Sequence, residues 1–321
     1  MLTGRIPQNE HNRKFMERVI EEAKQALKEP ETSLPYTEYR MFGITGERVG
    51  YEAHYIKRRK RLGLFLLMCL WEEDDKAYFD ALLNTIWAML DEFSWALPAH
   101  LLTVPEERKY RRLDLFAAET ALALNDVLSL IGDRLPDDVK TRIHTEVRRR
   151  ILVSFFSKNE VNYPHSNWSA VQLSGILAGL STDGTEEEFE KAVPKMLEIA
   201  GYFTGSYPED GCCLEGALYW LFGFGYYVYA ADLMSELSGG KIDLLAGEKC
   251  RKIANYWTKI TLDGNNVLPY SDAPHQCNYH IGLIHYLKKR FPEIAVPGIE
   301  EEMRYGEDSR YRLPDMLRNL Y

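Results

Sequence analysis

The sequence predicts an all-α protein folded as an incomplete α/α toroid, a ring of about five to six helical hairpins. Alternating apolar and polar runs bounded by turn signals, which would indicate strands, are almost absent. Apolar residues instead recur at helical spacing, and helices rich in small apolar residues alternate with charged amphipathic ones. The apolar helices begin near residues 113, 167 and 214, and this repeat of about 50 residues is typical of stacked helical hairpins.

Each predicted helix follows from its own pattern. In the first, residues 10–28, apolar side chains from Phe15 to Leu27 share one face, and Pro30 marks its end. Residues 216–231 carry no charge, but they are fewer than the roughly 20 that span a membrane, so we expect a buried helix there. The other helices are predicted at residues 50–72, 75–93, 112–131, 136–153, 167–181, 185–203, 214–238, 245–262 and 276–290.

The alternation of apolar and amphipathic helices predicts the toroid. A helix that is apolar on every side must be covered on every side, whereas an amphipathic helix covers it and faces water. Parallel inner helices then place the loops that precede them on one rim, where helix N-termini favour an anionic ligand. An open solenoid that binds proteins is the alternative, but these loops are rich in His, Asn, Trp, Tyr and Asp, which favours the toroid: 95–110, 158–167, 205–214 and 263–275.

Composition limits the classes of function and location. The net charge of −9 over 321 residues is the opposite of what a non-specific nucleic-acid binder needs. The five cysteines show no metal-ligand spacing, and the N-terminus shows no apolar leader, so we expect a reduced cytoplasmic setting. A leader trimmed from the natural protein would instead indicate a periplasmic or secreted one. The basic runs at 57–61 and 148–150 are expected to form solvated faces with one or two internal salt bridges.

Residues 162–169, which read NYPHSNWS, form the first candidate site. Either Ser166 or Asn167 is expected to cap the helix that follows, but a cap accounts for only one polar residue. The remaining polar and aromatic residues predict that at least one of the set faces a ligand: Asn162, Tyr163, His165, Asn167 and Trp168.

Residues 207–220, which read YPEDGCCLEGALYW, form the second candidate site. Asp210 and Glu215 are a candidate carboxylate pair in which one pKa is raised and the other is not. Alternatively, Asp210 caps its own turn and Glu215 stabilises a helix N-terminus. Tyr219 follows Glu215 by one helical turn, where a role in the core is the alternative to catalysis. Two adjacent cysteines at 212 and 213 lack the surroundings of a nucleophile and are expected to be small buried residues.

Two longer segments carry a family resemblance. NWSAVQLSGILAGL at 167–180 and YPEDGCCLEGALYWLFGFGYYVYAADLM at 207–234 together resemble the α-helical domain of the heparinase II/III-like family of polysaccharide, alginate and oligo-uronide lyases. The resemblance extends over nearly the whole chain and implies an incomplete α/α toroid. Four further stretches fit it: residues 40–62, 93–100, 113–128 and 268–273.

The resemblance also implies roles for individual residues. Asn167 matches the family's Asn or His that neutralises the uronate carboxylate, and Tyr219 matches its proton-transferring Tyr. His100 matches a His that lines the cleft. His165 has no firm counterpart but is expected to share the work, and Ser166 replaces the first Asn of the family's pair.

The expected function is a lyase that acts by β-elimination on uronic-acid-containing glycans, or the α-helical domain of one. The alternatives are a toroid glycoside hydrolase that uses Asp210, Glu215 or Asp272 as acid and base, and a non-catalytic glycan-binding domain. We expect an acidic oligo- or polysaccharide as partner, with no nucleic acid and no membrane. The predicted substrate-binding residues are Tyr163, His165, Trp168, Asp210, Glu215 and Asp272.

The domain organisation and the absence of a cofactor are predicted from the same resemblance. Family members continue into a β-sandwich that supplies a further catalytic His and sometimes holds a metal. Residues 1–305 are therefore predicted to form the toroid, and residues 306–321 the start of a linker to an absent C-terminal domain. On this chain itself we expect no cofactor and no metal.

Overall fold

A computed structural model describes residues 4–72, 75–157 and 163–321. These residues are mostly helical, with one small two-stranded sheet, which confirms the all-α prediction. The chain divides into two compact units. Unit 1 comprises Met1–Phe156 and Arg304–Tyr321, and unit 2 comprises Ser157–Met303.

Unit 1 is built from helices of very different lengths, including short ones that the apolar pattern does not predict. A π-helical segment, Arg148–Leu152, joins two of them, so the helix predicted at 136–153 continues to Phe156. The α-helices of the unit are α1 (Glu10–Ala26), α2 (Tyr36–Tyr39), α3 (Met41–Thr45), α4 (Val49–Trp71), α5 (Lys76–Leu90), α6 (Glu106–Lys109), α7 (Leu115–Ile131), α8 (Asp137–Val147), α9 (Val153–Phe156) and α16 (Leu313–Leu320).

The basic run in α4 is an internal charge network, so the expectation of a solvated face is wrong. Each of its five side chains pairs with a carboxylate from another part of unit 1. Arg58 and Arg59 share the fully buried Glu92, at 3.0 Å and 2.6 Å. A buried guanidinium needs such a partner, because an unpaired charge in the protein interior costs several kcal/mol, about 3–5. The network joins α4 to the residues that follow α5.

Another buried guanidinium, that of Arg150, fixes the loop between α5 and α7. Arg150 is 1% exposed, although the run that contains it was expected to face solvent. Its guanidinium pairs with Glu146 at 2.7 Å and lies 4.9 Å from the centroid of the Trp95 ring. It also donates hydrogen bonds to the backbone carbonyls of Glu92, Phe93 and Tyr110. Both ends of the loop that contains residue 100 are thereby held to one side chain.

Helix α7 and the C-terminal segment pack together within unit 1. Among the described residues, one helical stretch, Leu115–Arg134, has the length and composition of a membrane span, and 56% of its apolar window is buried. Its carboxylates Glu119 and Asp126 pair with Arg312 at 3.0 Å and Arg318 at 2.9 Å. Residues 306–321, predicted as the start of a linker, thus include a helix, α16, that packs against α4 and α7.

Unit 2 is centred on α10 (Asn167–Asp183), which packs against α11 (Glu186–Gly205) and α12 (Ala217–Leu237). The uncharged run at 216–231 lies within α12, which is buried along most of its length. An antiparallel hairpin, β1 (Thr261–Asp263) with β2 (Asn266–Val267), departs from the expectation of no sheet. The remaining helices are α13 (Glu248–Ala254), α14 (Tyr256–Ile260) and α15 (Ile281–Arg290).

The charge network in unit 1 predicts a strong effect of Glu92→Gln. The substitution leaves two nearly buried guanidiniums without their shared negative charge, so the free energy of unfolding should fall by about 3 kcal/mol or more. The neighbouring Asp91 offers a matched control, because its carboxylate is 60% exposed and pairs with Arg142 at 2.7 Å. Asp91→Asn should change stability by less than about 1 kcal/mol. Urea denaturation measures both, and equal small losses would contradict the role of Glu92.

Candidate functional site

The first polar cluster of unit 2 forms where α10 begins. The Ser166 side chain accepts the Trp168 backbone N–H at 3.3 Å, so Ser166 is the helix cap. Asn167 is therefore not required for capping. Asn167 is 7% exposed, and its amide nitrogen donates to Glu215 Oε2 at 3.1 Å.

Glu215, immediately before α12, has a second acidic neighbour. Partial burial and the negative charge of Asp272 both raise the pKa of the Glu215 carboxyl above its ordinary value. The backbone N–H of Asp272 donates to the Glu215 carbonyl at 3.3 Å. The structure thus brings together Asn167, Glu215 and Asp272, three of the residues predicted from the sequence. The carboxylate neighbour that affects Glu215 is Asp272 rather than Asp210.

Glycine and tyrosine close the loop at 268–273 onto this cluster. Gly216 has φ +94°, and a Cβ there would lie 2.8 Å from the Ala273 Cβ, so any other residue would push the loop away. Tyr270 donates its hydroxyl to the Cys213 carbonyl at 2.7 Å. Burial raises the pKa of Tyr270 to about 12, which keeps this hydroxyl protonated as a donor. Cys213 is buried, as predicted, whereas Cys212 is only half-buried.

Tyr219 lies in the first turn of α12 and is half-buried. In the described parts of the chain, its side chain forms no hydrogen bond, ion pair or ring contact. The next residue, Trp220, is fully buried and donates its indole N–H to the Ile253 carbonyl. The core position at this turn of the helix is therefore taken by Trp220.

Other predicted site residues have different surroundings. The Asp210 carboxylate accepts the Cys212 N–H at 2.9 Å, which is the turn-capping alternative. His165 packs on the ring of Tyr202 in α11, with centroids 4.6 Å apart. Lys195, also in α11, lies 5.5 Å from the Tyr163 ring. Trp168 is half-buried in the first turn of α10, and Asn162 lies outside the described residues.

The predicted His100 belongs to unit 1 and has a partner that sequence reasoning missed. Its Nδ1 lies 2.6 Å from Oδ2 of Asp114. Asp114 is completely buried and caps α7 by accepting the Ala117 N–H at 2.8 Å. An aspartate directly before an apolar helical run is a capping signal, so the cap was predictable. The contact with His100, 14 residues earlier in the chain, was not.

The amide, hydroxyl and carboxyl side chains of these clusters can donate hydrogen bonds and transfer protons. Across the described residues, no three His, Cys, Asp or Glu side chains are grouped so as to hold a metal ion. Comparison of the sequence with models of known protein families and with curated proteins finds no match.

The close packing of α10 on α12 predicts a position-specific effect of adding one methyl group. A Cβ at Gly223 would lie 2.9 Å from the Asn167 Cβ and 3.3 Å from the Phe203 ring, whereas one at Gly225 meets only Leu283, at 3.5 Å. Gly223→Ala should therefore destabilise the protein by about 1–3 kcal/mol and displace Asn167. Gly225→Ala should be neutral or stabilise by up to about 1 kcal/mol, through helix propensity. Chemical denaturation distinguishes the two, and identical behaviour would show that α10 and α12 do not approach closely at Asn167.

Proposed function

We propose that this protein is a lyase, or the helical domain of a lyase, that acts by β-elimination on glycans containing uronic acid. The observation that carries the proposal is the hydrogen bond from the Asn167 amide to Glu215, which lies just before α12. The half-buried Tyr219 lies in the first turn of the same helix. The resemblance of the sequence to the heparinase II/III-like family supports the same assignment.

The proposed reaction needs groups of these types. The proton at C5 of a uronate is scarcely acidic while the adjacent carboxylate keeps its charge, so hydrogen-bond donors must withdraw that charge. The Asn167 amide has two hydrogens, of which one donates to Glu215, and the second is assigned to the substrate carboxylate. Glu215, whose pKa is raised by partial burial and by the charge of Asp272, holds the first hydrogen of this amide and so fixes its orientation.

Tyr219 is assigned to proton transfer. A tyrosine at its usual pKa of about 10 is a weak base, so as a base it needs a cationic neighbour. As a general acid that protonates the O4 leaving group it already carries the proton. A base takes the C5 proton, the electron pair of that C–H bond forms the double bond between C4 and C5, and O4 leaves with the proton that Tyr219 donates.

The toroid order remains part of the proposal. It assigns α10 and α12 to the inner ring and α11 to the outer one. Within unit 2, the packing of α10 directly against α12 supports this order. So does the burial of both helices along most of their length, while α11 exposes a charged face.

A glycoside hydrolase is the second candidate function. The observation that favours it is the acidic pair Glu215 and Asp272, in which the pKa of Glu215 is raised by partial burial and by its neighbour. Glu215 would then be the general acid and Asp272 the base or nucleophile. Hydrolysis yields new reducing ends without the ultraviolet absorbance of an unsaturated uronide, and a glycan-binding domain yields neither product.

We expect binding to depend on substrate charge. An oligouronate should bind with an affinity that falls as salt is added, because screening weakens attraction between partly exposed charges. A neutral oligosaccharide of equal length should not bind. Titration calorimetry at two salt concentrations measures both ligands, and equal affinities would contradict an anionic substrate.

We expect Tyr219→Phe to lower turnover by about 100-fold or more with little change in substrate affinity, because it removes only a proton-transfer group. Asn167→Ala should cost a similar factor by weakening stabilisation of the intermediate. Tyr286→Phe is the matched control, since Tyr286 lies on α15, is 39% exposed and has no role in the proposed reaction. Ultraviolet absorbance of the product follows the reaction, and full activity of Tyr219→Phe would assign proton transfer to another residue.

A further inference from the structure

Helix α11 presents a line of polar and aromatic side chains within unit 2. Lys195, Glu198 and Tyr202 follow one another at intervals of three and four residues, so they share one face of the helix, and Gly205 continues that face into the last turn. The Lys195 ammonium pairs with Glu198 at 3.0 Å, and these two side chains are 44% and 46% exposed. The Tyr202 hydroxyl donates a hydrogen bond to the other oxygen of the same carboxylate. The face is therefore partly open to solvent and ordered by its own contacts.

His165 adds a second ring to this face from the loop before α10. Its imidazole packs on the ring of Tyr202, with centroids 4.6 Å apart and planes at 38°. A Cβ added at Gly205 would lie 3.9 Å from Nδ1 of His165, so the imidazole lies over the last turn of α11. His165 is nonetheless exposed, and it forms one continuous aromatic surface with Tyr202. We name this surface with its charged neighbours the α11 platform: His165, Lys195, Glu198 and Tyr202.

The α11 platform lies beside the cluster that contains Asn167. His165 precedes Asn167 by two residues, so their Cα atoms are at most about 7 Å apart. Phe203, the neighbour of Tyr202, is 1% exposed, and a Cβ at Gly223 would lie 3.3 Å from its ring and 2.9 Å from the Asn167 Cβ. The end of α11 and the start of α10 thus meet at one point of α12. Adjoining sugar units of one glycan chain cover a distance of this size.

The groups of the α11 platform suit an uncharged sugar ring. One face of a pyranose ring carries C–H groups that pack on aromatic side chains, and its hydroxyl groups both donate and accept hydrogen bonds. An ammonium has three hydrogens, of which Glu198 takes one from Lys195, and each oxygen of the Glu198 carboxylate has two lone pairs. A donor and an acceptor therefore lie side by side. The hydrogen bonds from Tyr202 and Lys195 lower the pKa of Glu198, so this carboxylate is charged at neutral pH and repels a second uronate.

We infer that the α11 platform is a subsite for an uncharged pyranose ring, and that it selects glycans in which a neutral sugar adjoins the uronate. The presence of a uronate at Asn167 rests on the proposed function, whereas the affinity of the platform for a neutral ring does not. A subsite for one ring binds weakly by itself, because few contacts must offset the cost of association. Such binding should be too weak for calorimetry but visible as movement of NMR signals.

NMR of the histidine-labelled full chain tests the α11 platform without an acidic sugar. The ring signals of His165, assigned with His165→Leu, should move and saturate as methyl rhamnoside is added, and they should move less with galacturonate. Tyr202→Leu should abolish the movement, because it removes the aromatic ring on which the imidazole packs. Leu197→Ala is the matched control, since Leu197 lies on α11 and is 43% exposed, and it should leave the movement unchanged. Signals that stay in place in the unchanged protein, or equal losses in the two variants, would overturn the inference.

Calorimetry with two oligosaccharides of equal length tests the selection. A rhamnogalacturonan tetrasaccharide, in which galacturonate alternates with rhamnose, should bind more tightly than tetragalacturonate. Tyr202→Leu and Lys195→Met should each lower the affinity for the mixed tetrasaccharide by about 10-fold and leave that for tetragalacturonate within about two-fold. Glu198→Gln should raise the affinity for tetragalacturonate, because it removes the charge that repels a second uronate.

The two measurements together separate this inference from the proposed function. Tighter binding of tetragalacturonate than of the mixed tetrasaccharide, with a loss in Lys195→Met, would assign the α11 platform to a second carboxylate and overturn the neutral sugar. Movement of the His165 signals by methyl rhamnoside, without binding of either tetrasaccharide, would overturn the uronate at Asn167 and leave the platform standing.

Discussion

The structure of unit 1 depends on one constraint, which is that each charged side chain buried by the fold needs a carboxylate or carbonyl partner. Arg58, Arg59 and Arg150 lie within the protein, and each must find carboxylates or carbonyls there. Those partners come from residues well separated along the sequence, which ties α4, the loop after α5 and the π-helical segment to one another. Such pairs contribute little net stability against an apolar alternative, but breaking one is costly. We expect them to act chiefly by excluding other arrangements of the same helices. The hydrogen bonds of Arg150 to Glu92, Phe93 and Tyr110 hold the loop that contains His100.

Unit 2 is organised by steric constraints instead. The absence of a side chain at Gly223 lets α10 approach α12 at Asn167, and the absence of one at Gly216 lets the loop at 268–273 close over the start of α12. Aromatic rings fill the space around these contacts, with Trp220 stacked on Phe224 at 5.5 Å. Close backbone approach at two glycines thus places an amide and two carboxyl groups from three distant segments within one cluster.

The helices were predictable from the sequence because apolar periodicity is a local property. The predicted start of α10 at residue 167 coincides with the structure, and the buried nature of α12 follows from its lack of charge. The burial of individual charged residues, the hairpin and the pairings within the site depend on tertiary contacts instead. Nothing local distinguishes buried arginines from solvated ones in α4, and the hairpin after Ile260 had only its Asp263–Gly264 turn as a signal. In the candidate site, Asn167 and Glu215 were recognised as residues of interest, but the pairing of Glu215 with Asp272 and of His100 with Asp114 spans loops that sequence spacing does not connect.

The number of hydrogen bonds that each polar side chain makes distinguishes structural polar residues from candidate functional ones. Arg150 directs its guanidinium to one carboxylate and three carbonyls, as a purely structural charge should. Asn167, which is also buried, uses one amide hydrogen, and Tyr219 lies at the start of α12 without a hydrogen-bond partner among the described residues. A buried donor that is only partly satisfied carries a cost in the unliganded protein. That cost is recovered when a ligand supplies the missing acceptor, and a carboxylate is the acceptor that pairs most strongly with such donors. This is the physical reason to look for an acidic sugar at Asn167 rather than at Arg150, whose guanidinium already has four protein acceptors.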